Sequence, residues 1–497
     1  MSAEPIVHPA VRRLSLPTKL FYGFGAVAFG VKDNGFSTFL LIFYNQIVGL
    51  PSALVGFAIM VALVVDAFLD PITGQVSDNW RSKWGRRHPF MYAAAAPVAV
   101  TYLLLWNPPH GWSHGALFVY LIATAILIRS FITAYEIPST ALSAELTADY
   151  DERTTLLNYR FLFQWIGGLT MYFLALKVFL RPDAGHAVGQ LNPAGYAHYG
   201  LAAAVVMLLA ILISAMGTHD QIPHLRQAPR RDASIKVLAG EMFATLAHAS
   251  FLALLGASLF FAMAVGLGLS IGLYFQTYFW ELSSAQVALF TFSSLGGAAL
   301  TFAIAPLISK AFGKKAGALM VIPAAATAAI APIGLRLLGL LPPNGAPLIF
   351  PLLLALGVIT VCLGTAGAIL MASMIADVVE DSELRTGRRS EGLFFAAAAF
   401  VAKAVTGIGI FASGMLLAAI HFPQHARPGE VDPTIVRHLG LVYAPVTVGL
   451  YGLALLCLTG YRITRRSHED SLRKLAAAAE LLAEGEPAAM TGEPLRP

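Results

Sequence analysis

A chain of 497 residues that is 57% hydrophobic and only 12% charged has about half the charged residues a soluble domain of that length carries. An aqueous globular fold is thereby excluded, and an all-α polytopic membrane protein is expected. The net charge of +5 is spread over short loops, which speaks for membrane topology and against a nucleic-acid partner.

The first 19 residues are polar and lack the apolar core of a signal peptide, so the first span is expected to stay in place. Runs of about 20 apolar residues predict helices near 20–46, 54–76, 89–106, 115–138, 158–180 and 198–217. A polar segment, 218–247, interrupts the pattern. A second set follows near 250–280, 285–309, 316–338, 346–375, 391–419 and 437–461. The organisation expected is a six-helix half (1–217), a cytoplasmic linker (218–247), a second six-helix half (248–461) and a cytoplasmic tail (462–497) that reads as a surface helix and a loose end. Cys362 and Cys457 lie in apolar runs without metal-ligand spacing, and neither a bridge nor a cofactor is expected.

Lys and Arg set the orientation, because short basic loops stay in the cytoplasm. Arg12, Arg13, Lys19, Arg81, Lys83, Arg86, Arg87, Lys314, Lys315, Arg385, Arg388 and Arg462 all fall on one side, while the loops near 47–53, 107–114 and 281–284 have none. Both termini are expected in the cytoplasm, with the body in the plasma (inner) membrane.

The halves also repeat. Glu145, Asp149, Arg153 and Thr154 follow the fourth span, and Asp377, Asp381, Arg385 and Thr386 follow the tenth at one common displacement. Gly85 and Gly317 match more loosely in the basic turns. Two six-helix halves related in parallel are a transporter architecture, with the substrate at their interface.

The most informative stretch is 54–90, where Asp66 and Asp70 share a helix face one turn apart inside an apolar run. Ionised carboxylates in hydrocarbon are costly and mark an ion or substrate path. Pro71 and Gly74 leave open a helix that ends near Asp66, with both acids in water. Further polar residues interrupt the spans: Lys32, Asp33 and Asn34 in the first, Arg129, Thr133 and Glu136 in the fourth, Asn158, Arg160 and Gln164 in the fifth, and Lys403 in the eleventh. The acids can be offset by Arg160, Lys403 and Lys32 in a central cavity, while snorkelling is the other reading for Lys177, Lys32 and Arg160.

The segments KLFYGFGAVAFG, VGLPSALVG, DAFLDPITGQVSDNWRSKWGRRHPF, YEIPSTAL, YDERTTLLNYR and IADVVEDSELRTGRRSEGLFF resemble the glycoside-pentoside-hexuronide:cation symporter family, whose type member is the melibiose carrier. The resemblance covers most of the chain and implies the major facilitator fold and sugar transport coupled to H+ or Na+. It implies a cation site at Asp66, Asp70 and Thr133, with no metal beyond Na+. It further implies substrate binding at Glu136 and Arg160, and Lys403 as the lysine that neutralises the acids. Three positions depart from the family. Gly30 aligns with its sugar-binding Asp, for which Asp33 is a substitute; Leu69 replaces an asparagine that helps hold Na+, which tilts the choice towards H+; and Thr140 replaces a stacking Trp. A related branch moves lysophospholipids, so an amphiphile substrate stays open.

The mechanism expected is alternating access, in which the halves rock only when cation and substrate are both bound or neither is. Asp78, Arg81, Arg87, Asp149, Arg153, Asp381 and Arg385 are candidate latch residues, or simply topology determinants. A membrane enzyme would need a motif such as HExxH or GxSxG, and the 13 histidines are scattered; a receptor without turnover has no evident use for the buried charges.

Overall fold

The computed structural model describes residues 13–147, 149–225, 249–386, 391–463 and 473, without the side chains of 150, 151, 381, 383–386 and 391–397. Most of the expected linker and nearly all of the tail lie outside these residues. Twelve helices among the described residues are long and apolar enough to cross a membrane: α1 Leu16–Ile47, α2 Ser52–Asn79, α3 His88–Leu105, α4 His114–Leu146, α5 Glu152–Phe179, α6 Pro193–His224, α7 Ala249–Phe279, α8 Ser284–Phe312, α9 Lys314–Leu337, α10 Ile349–Glu380, α11 Ala398–Ala419 and α12 Pro433–Thr459. The chain is an integral, all-helical membrane protein. Helix starts are set by side-chain caps: Ser113, Asn192, Ser283 and Asp432 accept from the first free N–H groups of α4, α6, α8 and α12. Continuous helix through Pro71 to Asn79 removes the reading in which α2 stops at Asp66.

Both halves follow one plan, visible in the backbone. The last turns of α1 (Phe43–Ile47) and α7 (Phe275–Phe279) are π-turns. Leu50 N–H donates to the Tyr44 carbonyl and Leu282 N–H to that of Gln276, each at 2.8 Å. These pairs stand at the displacement that relates Glu145 to Asp377, as do the first residues of α2 and α8, Ser52 and Ser284. The glycine match is different from expectation. Gly85 makes its turn at φ +73°, but the turn glycine of the second half is Gly313 at φ +81°, whereas Gly317 is helical and packed against Ile308.

Small residues set how closely the helices approach. A Cβ on Gly30 would lie 2.0 Å from the Gln164 carbonyl oxygen, so α1 and α5 touch backbone to backbone. Across the two halves, α2 and α11 run antiparallel with Gly414 against the Ser52 carbonyl, Gly56 against Ile410 and Phe411, and Gly407 against Met60 and Leu63. That seam carries Lys403 of α11 to the level of Asp66 and Asp70 on α2.

The two ends of the bundle differ. At the end whose loops carry few basic residues, the π-turns of α1 and α7 meet: Tyr274 donates to Asn45 Oδ1 at 2.8 Å, Tyr278 to Gln46 Oε1 at 3.1 Å, and Gln46 reaches the Pro423 carbonyl and the Ala426 N–H. Gln190 adds bonds to Thr277, Leu282 and Ser284. All five of these polar side chains of α1, α7 and the Gln190 loop are buried, so this end is sealed. At the basic end, four ion pairs among the described residues each lie within one half. Arg87 binds Asp78 and Glu145, Arg86 joins Glu145 at 2.9 Å, and Lys314 binds Asp377. Thus the repeat-related acids Glu145 and Asp377 each hold the basic turn of their own half.

Candidate functional site

The site forms where α1, α2, α4 and α5 face α11. Asp66 and Asp70 are one turn apart on α2, and Arg129 and Thr133 are one turn apart on α4, so two i,i+4 pairs lie rung against rung. Arg129 Nη1 donates to Asp66 Oδ2 at 2.9 Å. The Thr133 hydroxyl lies 2.6 Å from Asp66 Oδ1 and 3.2 Å from Asp70 Oδ1. From the other half, Lys403 Nζ sits 2.6 Å from Asp70 Oδ2 and 3.5 Å from Asp66 Oδ2. Arg129 and Lys403 thus hold one oxygen of each acid, and the single Thr133 proton serves one of the remaining two at a time.

Exposure divides the cluster. The side chains of Asp66 and Arg129 are 1% and 4% exposed, those of Asp70 and Lys403 22% and 26%. The inner pair is sealed, and the outer pair borders open space. Arg129 also stacks on Phe36 of α1 with its guanidinium 4.7 Å from the ring centroid. Its Nε, buried, has no hydrogen-bond partner. The charge is held by one carboxylate and one ring.

Glu136, two turns along α4 from Arg129, makes no ion pair among the described residues; Lys403, Lys32 and Arg160 act on its carboxylate electrostatically. Arg160 is buried rather than snorkelling. It donates to Ser139 Oγ at 3.0 Å and to the Glu136 carbonyl at 3.4 Å, leaving donors of its five. Lys32 is buried and paired with Asp33 at 2.7 Å, while the Asp33 side chain is 44% exposed. Thr140 is exposed, its hydroxyl folded onto the Glu136 carbonyl. Lys177 is exposed on its own near the sealed end.

The glycine contact at position 30 explains one departure from the resembled family. A carboxylate there would collide with α5, so an acid on α1 has its place at Asp33, further along. Arg129 is the residue that sequence reasoning left out of the site. Its signal was present: the Arg129–Thr133 spacing repeats that of Asp66–Asp70 on the opposing helix.

Of the candidate latch residues, Asp78 and Arg87 form the strut just described. Arg81 instead caps the carbonyls of Asp78 and Trp80 at 3.1 Å. Asp149 caps α5 by accepting from Glu152 N–H at 2.7 Å, and Arg153 is exposed. The side chains of Asp381 and Arg385 lie outside those described.

A cavity of about 380 Å³ lies between α1 and α5 on one side and α7, α8, α9, α10 and α12 on the other. Asn34, Gln276, Ser293 and Tyr443 are polar points in a mainly apolar wall. Its size falls in the usual range of small-molecule sites, and Asn34 follows Asp33 on α1.

Hard cations take several oxygen ligands. The oxygens on offer here are those of the two carboxylates and Thr133, each beside a protein group, and Leu69 supplies none.

Residues 21–465 match the family described as MFS/sugar transport protein. The chain is 27% identical to an uncharacterized symporter of Synechocystis, over 94% of this chain and 98% of that one. It is 26% identical to the isoprimeverose transporter of Lactiplantibacillus pentosus, over 93% of each. To the sphingosine-1-phosphate transporter of Mus musculus it is 26% identical, over 89% of each. The xylose transporter of E. coli in an inward-open conformation shares the fold, with TM-score 0.59 and 14% identity over 92% of this chain and 98% of that one. With twelve spans among the described residues, two repeated halves and charges at their junction, the chain belongs to the MFS/sugar transport protein family, the melibiose-carrier-like symporters, which are transporters and not enzymes.

Proposed function

We propose that this protein is a secondary active transporter that moves a sugar or glycoside in symport with a cation, H+ or Na+, by alternating access. The observation that carries the reading is the acid pair Asp66 and Asp70 held against Lys403 of the other half, beside a Glu136 carboxylate that lacks an ion pair. A carboxylate and a guanidinium each make paired hydrogen bonds to adjacent hydroxyls, so Glu136 and Arg160 suit a polyol, with Asp33 near the cavity rim. Substrate bridging Glu136 and Arg160, together with the coupling ion at the acid pair, rearranges the contacts of Lys403. The halves then rock only when both are bound or neither is.

The basic end is taken as cytoplasmic, with both termini there and the sealed end outward, in a plasma (inner) membrane. In this state the sugar leaves towards the cytoplasm. The candidate latch residues Asp78, Arg87, Asp149, Arg153, Asp381 and Arg385 would then repartner when the basic end closes.

The test is uptake into proteoliposomes of labelled glycosides, pentoses and hexuronates. Accumulation driven by an ion gradient, lost in Glu136→Gln, is the expected result. No accumulation of any sugar by folded protein, with uptake of a lysophospholipid or sphingoid phosphate instead, would replace the sugar by an amphiphile.

A further inference from the structure

We infer that Arg129 is a tethered cation standing where a coupling metal ion would bind, so that this transporter binds neither Na+ nor Li+. The inference rests on the cation-coupled reading above, and narrows its coupling ion to the proton.

Three observations carry it. The guanidinium holds Asp66 Oδ2 at 2.9 Å, and Thr133 holds the other oxygen at 2.6 Å. A metal ion approaching Asp66 meets a like charge on one oxygen and an O–H donor on the other. Secondly, Arg129 cannot swing aside: it is 4% exposed and stacked on Phe36, and a bare guanidinium displaced into apolar surroundings is costly.

The third observation concerns motion. Asp66 on α2 and Arg129 on α4 belong to the same half, so they travel together in any rocking of one half against the other. Lys403, in contrast, comes from the other half and sits at an exposed edge. Alternating access can withdraw Lys403 from Asp70, but it presents no state in which Asp66 lacks its guanidinium.

The experiment is equilibrium binding of radioactive Na+ to purified, monodisperse protein, with Li+ and choline as competitors and no sugar present. Wild type is expected to show no saturable, Li+-sensitive binding, and Arg129→Lys, which keeps the charge, none either. The double variant Arg129→Gln with Leu69→Asn, which removes the charge and restores an oxygen, is expected to gain about one competed site per chain. Saturable Na+ binding by wild type, or a monodisperse double variant that stays blind to Na+, overturns the inference. Because no substrate enters the assay, a wrong sugar assignment leaves these outcomes unchanged, while failed sugar uptake beside Na+ blindness would remove the substrate reading alone.

Discussion

The two halves share a backbone plan but not a chemistry. Positions related by the repeat to Lys32, Asp33, Asp66, Asp70, Arg129, Glu136 and Arg160 are Ala264, Val265, Ala298, Phe302, Val361, Ala368 and Gly392. Only Thr133 keeps its type, as Thr365, and Lys403 stands opposite Met171. One half thus holds the charged site, and the other supplies an apolar wall and a single ammonium. Repetition sets helix lengths, π-turns and end struts, which both halves need in order to fold and to meet at the sealed end. Charges in the bilayer are too expensive to keep in duplicate.

The sharpest way to break this contrast is to orphan a charge on the first half. Asp66→Asn leaves Arg129 buried without its carboxylate, and the expected cost is about 3–5 kcal/mol of stability with loss of transport. Asp66→Asn with Arg129→Gln should recover most of the melting temperature but none of the transport. Thermal unfolding in detergent and uptake separate the two. Installing a charge at the equivalent place, Ala298→Asp, has no base to receive it; a loss of about 2–4 kcal/mol is expected, and no rescue of Asp66→Ala.

Glu136→Gln should act differently, because no ion pair is broken. A stability change within about 1 kcal/mol and a 10–100-fold loss of substrate affinity are expected, the worth of about 1.5–3 kcal/mol for hydrogen bonds to a charged group; titration of binding by intrinsic fluorescence checks it. At the sealed end, Gln46→Leu removes three bonds to the second half. At about 0.5–1.5 kcal/mol each, the population of the state open at that end should rise some 10-fold or more, read by thiol labelling of a cysteine placed at Ile47. The smallest effect belongs to Arg153→Ala, exposed at the basic end, expected within about 0.5 kcal/mol of wild type in stability. A strong transport defect there would assign Arg153 a latch role that its exposure in this state does not display.

Much of this contrast was legible in residue order. Hydropathy located all twelve spans, because crossing a bilayer demands an apolar length that few other structures need. Helix ends were misplaced by a few residues: α4 runs on to Leu146 and α2 to Asn79, since helix continues past the apolar core into the loops. Asp66, Asp70, Thr133 and Lys403 stood out as costly in hydrocarbon, and the structure brings all four within one cluster. What stayed hidden depends on which helix lies against which. The Arg129–Asp66 bond needs the register of α2 against α4, the bar to an acid at Gly30 needs the approach of α1 to α5, and the seal of Asn45, Gln46, Tyr274 and Tyr278 joins residues more than 200 positions apart. No local pattern encodes those distances.

The measurement that tests the account most directly is the current evoked on a solid-supported membrane by a transported sugar, recorded with Na+ and with choline at two pH values, for wild type and for Asp66→Asn. The account predicts a current of equal size in Na+ and choline, altered by the proton gradient, and absent in Asp66→Asn. A sugar-evoked current that requires Na+, or one that survives in Asp66→Asn, would contradict it.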